Sequence, residues 1–219
     1  ADWIWVSDDD AYLKDDALKQ ASDYLEEQPD LDKISAICGK VIKNGKMDIN
    51  HGKYYYKKGI RICEASIPAE MYEKKEFEMG SFTYVGTIMN KKKLLEAGLP
   101  NKDYFIYWDD LEHGIRMRKT GKIIGVPGIV AYHDVGEEGS GINWKLYYSY
   151  RNMIDTYRKH FSGVCYDYFC LKIRVKIFLN HMTGHKKLEL NILEEAFKNA
   201  RQQKFGLHPV YRPGWKPGE

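Results

Sequence analysis

The stretch DWIWVSDDDAYL, residues 2–13, places an apolar run directly before three consecutive aspartates. Residues 3–6 are apolar enough to predict a buried strand, and Asp8, Asp9 and Asp10 follow after one small residue. Clustered carboxylates at the end of a buried strand are unfavourable unless a positive charge lies beside them. The stretch therefore raises the question of which positive group these aspartates face.

Two answers fit the residues alone. Carboxylate oxygens suit a hard divalent cation such as Mg²⁺ or Mn²⁺, and ligands of open α/β sheets bind at the carboxyl edge of the strands. Alternatively, the aspartates belong to an acidic N-cap of the following helix, although Asp15 or Asp16 could supply that cap instead. A short acidic motif does not decide between the two.

The totals indicate a single good-sized domain with a real core. The chain has 219 residues, of which 43% are hydrophobic and 30% charged, as is typical of soluble proteins. Its 34 Lys and Arg against 31 Asp and Glu give a net charge of +3, which is too small to indicate a nucleic-acid partner.

Cysteine usage predicts a cytoplasmic location. Cys38, Cys63, Cys165 and Cys170 form no CxxC pair, which favours reduced thiols. No apolar run has the length needed to span a bilayer, and the N-terminus shows no basic-then-apolar signal pattern. Since the first strand is apolar enough for the inside of a sheet, we expect its neighbours to come from upstream sequence and the chain to be part of a larger protein.

The front of the chain alternates helical and strand patterns. Residues 14–28 predict a helix with Leu18, Ala21 and Leu25 on its apolar face. Residues 69–81 are polar and predict a mobile loop. The other predicted elements are a strand at 34–42, a turn at Asn44-Gly45, strands at 59–67, 82–89, 122–127 and 129–133, and helices at 90–98, capped by Asn90 and stopped by Gly98, and 109–121.

From about Asn143 the chain turns helical, with three segments of helical apolar spacing before a Pro- and Gly-rich tail. These patterns divide the chain into an α/β part at 1–142, a helical section at 143–205 and an irregular tail at 206–219. Residues 172–187 carry five cations and no acid. This basic face indicates either packing against the α/β part or contact with the inner face of a membrane.

A second acidic constellation, FIYWDDLEHG, spans residues 105–114. Tyr107 and Trp108 precede Asp109 and Asp110, and an apolar surrounding would raise the pKa of a carboxyl toward the range of a general base. Helix capping explains the acids equally well, with Asp109 as N-cap, but not the large aromatic residues before them.

Two histidine patterns complete the candidates. His133 ends an apolar strand, where it could bind a metal or simply terminate the strand. HMTGH, residues 181–185, has zinc-like spacing, but Gly184 weakens the helix and no glutamate stands where HExxH has one, so we do not assign it to zinc.

Taken in order, these segments resemble the inverting family 2 glycosyltransferases of the GT-A fold, and within them the galactofuranosyl- and rhamnosyltransferase-like members. The resemblance is carried by DWIWVSDDDAYLKDDAL, SFTYVGTIMNKKKLLEAGLPNKDYFIYWDDLEHGIRMRKTGK, VAYHDV and YYSYRNMIDTYRKHF, within residues 2–161. It implies an α/β fold with a mixed, N-terminally truncated GT-A-like sheet flanked by helices, followed by the helical section. Family members have an upstream nucleotide-binding half that this chain lacks.

The resemblance implies roles residue by residue. Asp8 and Asp10 correspond to the outer acids of the DxD motif, and Asp10 and His133 to metal ligands. Asp110 corresponds to the catalytic base, supported by Asp109. Donor contacts fall to Asp8, Asp9, Gly86 and Trp108. YRN places Arg151 and Asn152 in a region assigned only to helix packing.

The resemblance further implies Mn²⁺ or Mg²⁺, a UDP- or dTDP-linked sugar donor, and a glycan or lipid-linked acceptor. A homo-oligomer is also expected. Two alternatives stay open at this point: a Mg²⁺-dependent phosphoryl or nucleotidyl transferase, which lacks support from a GxxxxGK[ST] signature, and a non-catalytic carbohydrate-binding module.

Overall fold

A computed structural model describes residues 1–134, 136, 141–161, 163–183 and 187–218. The strands are β1 (Trp3–Val6), β2 (Ala11–Leu13), β3 (Ile34–Lys43), β4 (Lys46–Met47), β5 (Gly52–Lys58), β6 (Arg61–Ser66), β7 (Phe77–Met79), β8 (Ser81–Phe82), β9 (Thr87–Asn90) and β10 (Lys122–His133). The helices are α1 (Ala17–Glu26), α2 (Lys91–Ala97), α3 (Asp109–Thr120), α4 (Lys145–His160), α5 (Gly163–Met182) and α6 (Leu188–Arg201).

The chain forms two compact units. The first comprises Ala1–Tyr55, Glu64–Pro100 and Asp110–Glu138, and the second comprises Tyr56–Cys63, Asn101–Asp109 and Gly139–Glu219. The second unit thus takes in residues 101–109 and the tip of the β5–β6 hairpin in addition to the three C-terminal helices. The division expected from sequence between residues 142 and 143 keeps both of these segments in the first part of the chain.

The first unit is built on a mixed sheet. Its strand order is β1-β9-β3-β10-β2, with β4 paired to β3 and β7 paired to β10. β10 runs parallel to β3, whereas β9 lies antiparallel to both β1 and β3. A second, three-stranded sheet has the order β6-β5-β8.

Both faces of the mixed sheet are buried. Ile37 of β3 and Ile88 of β9 lie in one apolar cluster with α1. Ala36, which precedes Ile37, and Met89, which follows Ile88, lie in a second cluster on the other face. This alternation follows from the two-residue period of a strand. It explains why β3 is apolar almost throughout.

β1 lies at the edge of the described sheet and pairs with β9. Its central residue Trp5 is exposed, unlike the residues expected for a strand inside a sheet. On the same unit, α1 buries Ala17, Ala21 and Tyr24, whereas Leu18 is 58% exposed. The expected apolar face of α1 was therefore wrong at Leu18, because the buried residues Ala17, Ala21 and Tyr24 follow a four- and three-residue spacing that leaves Leu18 beside their face.

The segment predicted to be a mobile loop is ordered. Residues Ala69–Glu73 form a 3-10 turn and Phe77–Met79 form β7 beside β10. Tyr72, Phe77 and Met79 are buried in the core despite the polar residues between them. The loop prediction was wrong because three large apolar side chains outweigh a polar average.

The predicted strand at 82–89 is interrupted, and the two predicted strands at 122–133 are one. Thr87 N–H donates to the carbonyl of Tyr84 at 3.0 Å, forming a turn between β8 and β9 that Gly86 permits with a φ of +68°. β10 runs continuously from Lys122 to His133, with its register against β3 shifted between Gly125 and Val130. The turn at Asn44-Gly45 is confirmed, with positive φ at both residues.

The second unit is helical, as predicted. α4, α5 and α6 enclose an apolar cluster around Ile154, Ile173, Leu193 and Phe197. The tail has no helix or strand in its described residues, yet Tyr211 stacks on Tyr147 with ring centroids 5.1 Å apart. The irregular tail is thus fixed by aromatic packing.

Candidate active site

The three aspartates form the turn between β1 and β2, which we call the acidic turn (Asp8–Asp10). β2 pairs antiparallel with the end of β10, and this register sets His133 opposite Ala11. His133 Nε2 consequently lies 3.2 Å from Asp10 Oδ1 and 4.0 Å from Asp8 Oδ2. Strand pairing therefore joins two motifs that are more than 120 residues apart in the sequence.

Asp8, Asp10 and His133 present one ligand atom each, all within 4.8 Å of one another. Asp8 and Asp10 are exposed and His133 is partly buried, so solvent and a ligand reach the cluster from one side. Asp9 is exposed on the same turn but is not part of this group. In the part of the chain that the structure describes, no other His, Cys, Asp and Glu side chains form such a group.

The electrostatics of the acidic turn favour a cation. Partial burial raises the pKa of the Asp8 carboxyl, and Asp10 and Asp9 add to this effect, although His133 opposes it. A divalent cation would offset the repulsion among the carboxylates. Two carboxylates and one imidazole form a donor set that fits Mn²⁺ better than Mg²⁺, because Mg²⁺ is bound mainly through oxygen ligands.

Backbone strain marks the approach to the second acidic motif. Phe105, Tyr107 and Trp108 all have positive φ, at +68°, +62° and +69°. Bulky non-glycine residues rarely adopt this conformation, which persists only where surrounding contacts enforce it. We refer to residues 104–108 as the aromatic loop.

Helix α3 begins where the aromatic loop ends. Asp109 is its first residue, so the expectation of Asp109 as an N-cap outside the helix does not describe the structure. Asp110 Oδ1 accepts a hydrogen bond from the N–H of Leu111 at 2.6 Å. This contact orients the Asp110 carboxyl at the positive end of the helix dipole, where a carboxylate is favoured.

Asn152 of α4 anchors the aromatic loop. Its Nδ2 donates to the carbonyl oxygens of Tyr104, Ile106 and Tyr107 at 3.0, 3.0 and 2.8 Å. Asn152 is fully buried. These three hydrogen bonds satisfy carbonyls that a loop of this conformation would otherwise leave unpaired in the interior.

Arg151 fixes Asn152 in turn. Its Nε donates to Asn152 Oδ1 at 3.0 Å, and its guanidinium donates to the carbonyls of Asp103, Tyr104 and Gly206. The guanidinium also lies over the rings of Tyr147, Tyr148 and Phe205. Arg151 and Asn152 of the YRN motif, assigned from sequence only to helix packing, thus support the aromatic loop. Two adjacent polar residues on a helix face that is otherwise apolar were the one sequence feature that could have indicated this role.

The rings of the aromatic loop differ in exposure. Trp108 is 8% exposed and packs edge-to-face on Tyr157, with centroids 5.7 Å apart. Tyr107 is exposed and has the ammonium of Lys145 at 5.8 Å from its ring centre. Of these two rings, Tyr107 presents more surface to a ligand.

Gly86 is buried where β9 begins. Its carbonyl accepts a hydrogen bond from the N–H of Gly39 at 2.9 Å, and a Cβ added to Gly86 would lie 2.9 Å from the Cβ of Ala131. Both the positive φ and this contact require glycine. The surroundings of Gly86 thus give a structural reason for glycine that is independent of any donor.

Sequence reasoning missed a buried histidine, His51. Its Nδ1 lies 2.5 Å from Thr83 Oγ1, and its Nε2 has no hydrogen-bond partner among the described residues. Burial lowers the pKa of His51 to about 4; nearby Asp48 opposes the shift and His133 adds to it. No spacing in the sequence distinguishes His51, because only the tertiary fold buries it.

The HMTGH segment is described only in part. His181 Nε2 lies 2.8 Å from Glu194 Oε2, whereas Gly184 and His185 lie outside the described residues, as does Lys186 of the basic run.

Comparison with curated proteins finds two kinds of weak relative. The chain is 26% identical over 117 residues to galactofuranosyltransferase GlfT2 of Mycolicibacterium smegmatis, covering 45% of this chain and 18% of GlfT2. It is 20% identical over 142 residues to the probable GTP-binding protein EngB of Helicobacter pylori, covering 63% of this chain and 58% of EngB. No protein-family model matches the chain.

Among solved structures, the fold is similar to the crystal structure of GalNAc-T7 with UDP, GalNAc and Mn²⁺. The TM-score is 0.51 at 10% identity, over 92% of this chain and 40% of GalNAc-T7. The expected fold class, a mixed α/β GT-A-like sheet flanked by helices with a helical C-terminal section, is confirmed. The chain is glycosyltransferase-like in structure and has a weak glycosyltransferase relative, but it spans less than two thirds of each protein named.

Proposed function

We propose that this chain is the catalytic and acceptor part, within residues 1–142, of a metal-dependent, inverting glycosyltransferase. It transfers a sugar from a nucleoside-diphosphate donor, UDP- or dTDP-linked, to a hydroxyl of a glycan or lipid-linked acceptor. The observation that carries the proposal is the convergence of Asp8, Asp10 and His133 at one sheet edge. The similarity to GlfT2, and to a fold whose crystal structure holds UDP and Mn²⁺, supports it.

Asp10, Asp8 and His133 would hold the cation. When bound, Mn²⁺ offsets negative charge on the diphosphate of the donor. The imidazole of His133 is held against Asp10, so the ligand geometry is organised before the cation arrives. The donor contacts that the resemblance implies for Asp9, Gly86 and Trp108 stay predictions, and of these three residues only Asp9 is exposed.

Asp110 acts as the general base, and Asp109 supports it or contacts the acceptor. The Asp110 carboxylate takes the proton of the acceptor hydroxyl as that oxygen bonds to the anomeric carbon. The bond between this carbon and the diphosphate oxygen breaks, and the electron pair leaves on the diphosphate. Attack from the face opposite the leaving group inverts the anomeric configuration.

A calorimetric titration with UDP tests the metal site. We expect the chain to bind UDP with Mn²⁺ and more weakly without it, and Asp10→Asn to lose the Mn²⁺-dependent part. Asp15→Asn, which removes a neighbouring exposed carboxyl outside the cluster, should bind as the wild type does. Equal affinity of Asp10→Asn and wild type for UDP and Mn²⁺ would contradict the assignment.

Product analysis separates the three classes of function. With UDP- and dTDP-sugars, a glycosyltransferase releases the nucleoside diphosphate. A nucleotidyl transferase transfers the nucleoside monophosphate and releases the sugar phosphate, and a phosphoryl transferase that transfers the sugar phosphate releases the nucleoside monophosphate. A carbohydrate-binding module releases no nucleotide and binds glycans equally well in EDTA. Only the first outcome, lost in Asp10→Asn, supports the proposal.

A further inference from the structure

Helix α5 exposes an apolar stripe, which we define as Val164, Leu171, Val175, Phe178, Leu179 and Met182. The spacings of seven, four, three and four residues from Val164 to Met182 put these side chains on one side of the helix. Phe178 is 61% exposed and Met182 is 70% exposed. The described residues therefore leave five turns of helix with a continuous apolar surface uncovered.

The opposite side of α5 is already used. Cys170 and Ile173 are buried against Leu193 and Phe197 of α6. A helix that is apolar on both sides is normally buried on both sides. The apolar stripe is therefore a surface for a second partner beyond the helices of this unit.

Cations border the apolar stripe on both sides. At 100° per residue, Lys172 and Lys176 fall along one border, and Arg174 along the other. All three side chains are exposed. The one acid of α5 is Asp167 in its first two turns, and His181 is paired with Glu194 of α6 at 2.8 Å.

A groove lined by residues of α5 and α6 also combines apolar and cationic side chains. Its volume is about 690 Å³, and its apolar lining comes from Ile177, Phe178 and Phe197. Arg174, Lys198 and Arg201 line the same groove, together with His181, Glu194 and Gln202. Apolar surface and positive charge thus lie side by side over two helices.

We propose that α5 binds the surface of a bilayer containing anionic lipids, lying in the plane of the interface. The apolar stripe enters the acyl region, and the bordering cations meet lipid phosphates. None of the helices in the described part of the chain is long and apolar enough to cross a bilayer. A second copy of the chain fits less well, because joining two stripes would bring their cationic borders together.

The proposal does not depend on transferase activity, because vesicle binding is measured without donor or acceptor. The experiment is flotation with phosphatidylcholine vesicles with or without 30% phosphatidylglycerol. We expect the chain to float with the anionic vesicles, to float less in 0.5 M NaCl, and to remain unbound with phosphatidylcholine alone. No flotation with the anionic vesicles would overturn the proposal.

Paired variants separate the apolar and the charged contributions. Val175→Ser with Phe178→Ser, and separately Lys172→Gln with Lys176→Gln, should each reduce the bound fraction at least fivefold. The matched controls are Leu95→Ser with Leu99→Ser and Lys46→Gln with Lys91→Gln, exposed residues of the first unit that should leave flotation unchanged. Circular dichroism establishes that each variant is folded.

Two outcomes would assign the stripe elsewhere. If stripe variants and controls float equally, the apolar stripe is not the membrane contact. If sedimentation shows a concentration-dependent dimer that only Val175→Ser with Phe178→Ser abolishes, and vesicles have no effect, the stripe belongs to a second copy. Either result overturns the membrane proposal.

Discussion

The side-chain amide of Asn152 donates a hydrogen bond to the carbonyl oxygen of Tyr107 at 2.8 Å. The same nitrogen reaches the carbonyls of Tyr104 and Ile106, so one side chain holds three backbone groups of the aromatic loop. The loop has positive φ at three of its residues and runs directly into Asp109 and Asp110. Asn152 thus holds the backbone of the loop that precedes the acidic pair without belonging to its motif.

Replacing this amide should affect turnover more than donor affinity. Asn152→Asp removes both N–H donors and places carboxylate oxygens against three carbonyls. Each buried carbonyl left unpaired costs about 1–3 kcal/mol. We expect a kcat at least tenfold below that of the wild type at similar KM for the donor, measured as nucleoside diphosphate released.

The matched control for this change is Asn199→Asp. Asn199 is a buried asparagine of α6 whose Nδ2 donates to Tyr147 Oη at 2.9 Å and to Glu195 Oε1 at 3.0 Å, away from the aromatic loop. It should lower the free energy of unfolding without the same loss of kcat. Equal losses of kcat in the two variants would mean that Asn152 acts only through general stability.

Asp110→Asn tests the proposed base directly. General-base help typically contributes about 10²–10⁴-fold, so the amide should abolish transfer while UDP still binds with Mn²⁺. Turnover should be measured at saturating donor and compared with Asp23→Asn, a surface change on α1 that leaves the site untouched. More than about a tenth of wild-type turnover in Asp110→Asn would contradict the assignment of Asp110 as the general base.

Substitution of either partner in the Arg116–Glu112 ion pair should strongly lower the free energy of unfolding. Glu112 is buried and accepts from Arg116 Nε with both oxygens, at 3.1 and 3.0 Å. Arg116 also donates to the carbonyls of Ala97, Gly98 and Leu99 after α2. Removing one partner of a buried ion pair typically costs about 3–5 kcal/mol because the other charge stays buried.

Urea unfolding of Arg116→Met, Glu112→Gln and the double variant checks this estimate. Arg116→Met should be the least stable of the three, since it removes the guanidinium that compensates the charge of the buried Glu112 carboxylate. The double variant should recover part of the loss. If the two single effects simply add, the pair is not coupled and the prediction is wrong.

His51 and His113 are buried, and we expect them to make the folded state less stable at acidic pH. Burial lowers the pKa of both His51 and His113 to about 4, well below the value of 6.5 in an unfolded chain. Between these values the unfolded state binds a proton that the folded state does not. The free energy of unfolding should therefore fall as the pH drops from about 6.5 toward 4, by up to about 1.4 kcal/mol per pH unit for each histidine.

Urea midpoints at pH 7.5, 6 and 5 measure this slope. His51→Asn and His113→Asn should each flatten the pH dependence, whatever their stability at pH 7.5. Unchanged slopes in both buried variants would show that folding does not lower the pKa of these imidazoles.

Sequence patterns predicted most of the elements because local periodicity reports which residues are buried together. The apolar spacing of α4, α5 and α6 and the capping of α2 by Asn90, whose Oδ1 accepts from Lys92 and Lys93 N–H, were both correct. The pattern failed at residues 69–81, where burial depends on three apolar side chains meeting a distant core. It also failed at Gly86, where a turn divides a run of residues that favour a strand.

For the candidate site, the order of amino acids is enough to predict the chemistry of the groups: an acidic turn after an apolar strand, a histidine at a strand end, and an acidic pair after aromatic residues. Strand pairing and side-chain packing place His133 beside Asp10 and Asn152 against the aromatic loop, which no local pattern predicts. The two kinds of information differ in their range along the chain. Propensity and periodicity act over a few neighbouring residues, whereas strand register and the pairing of buried carbonyls depend on segments that only the fold brings together.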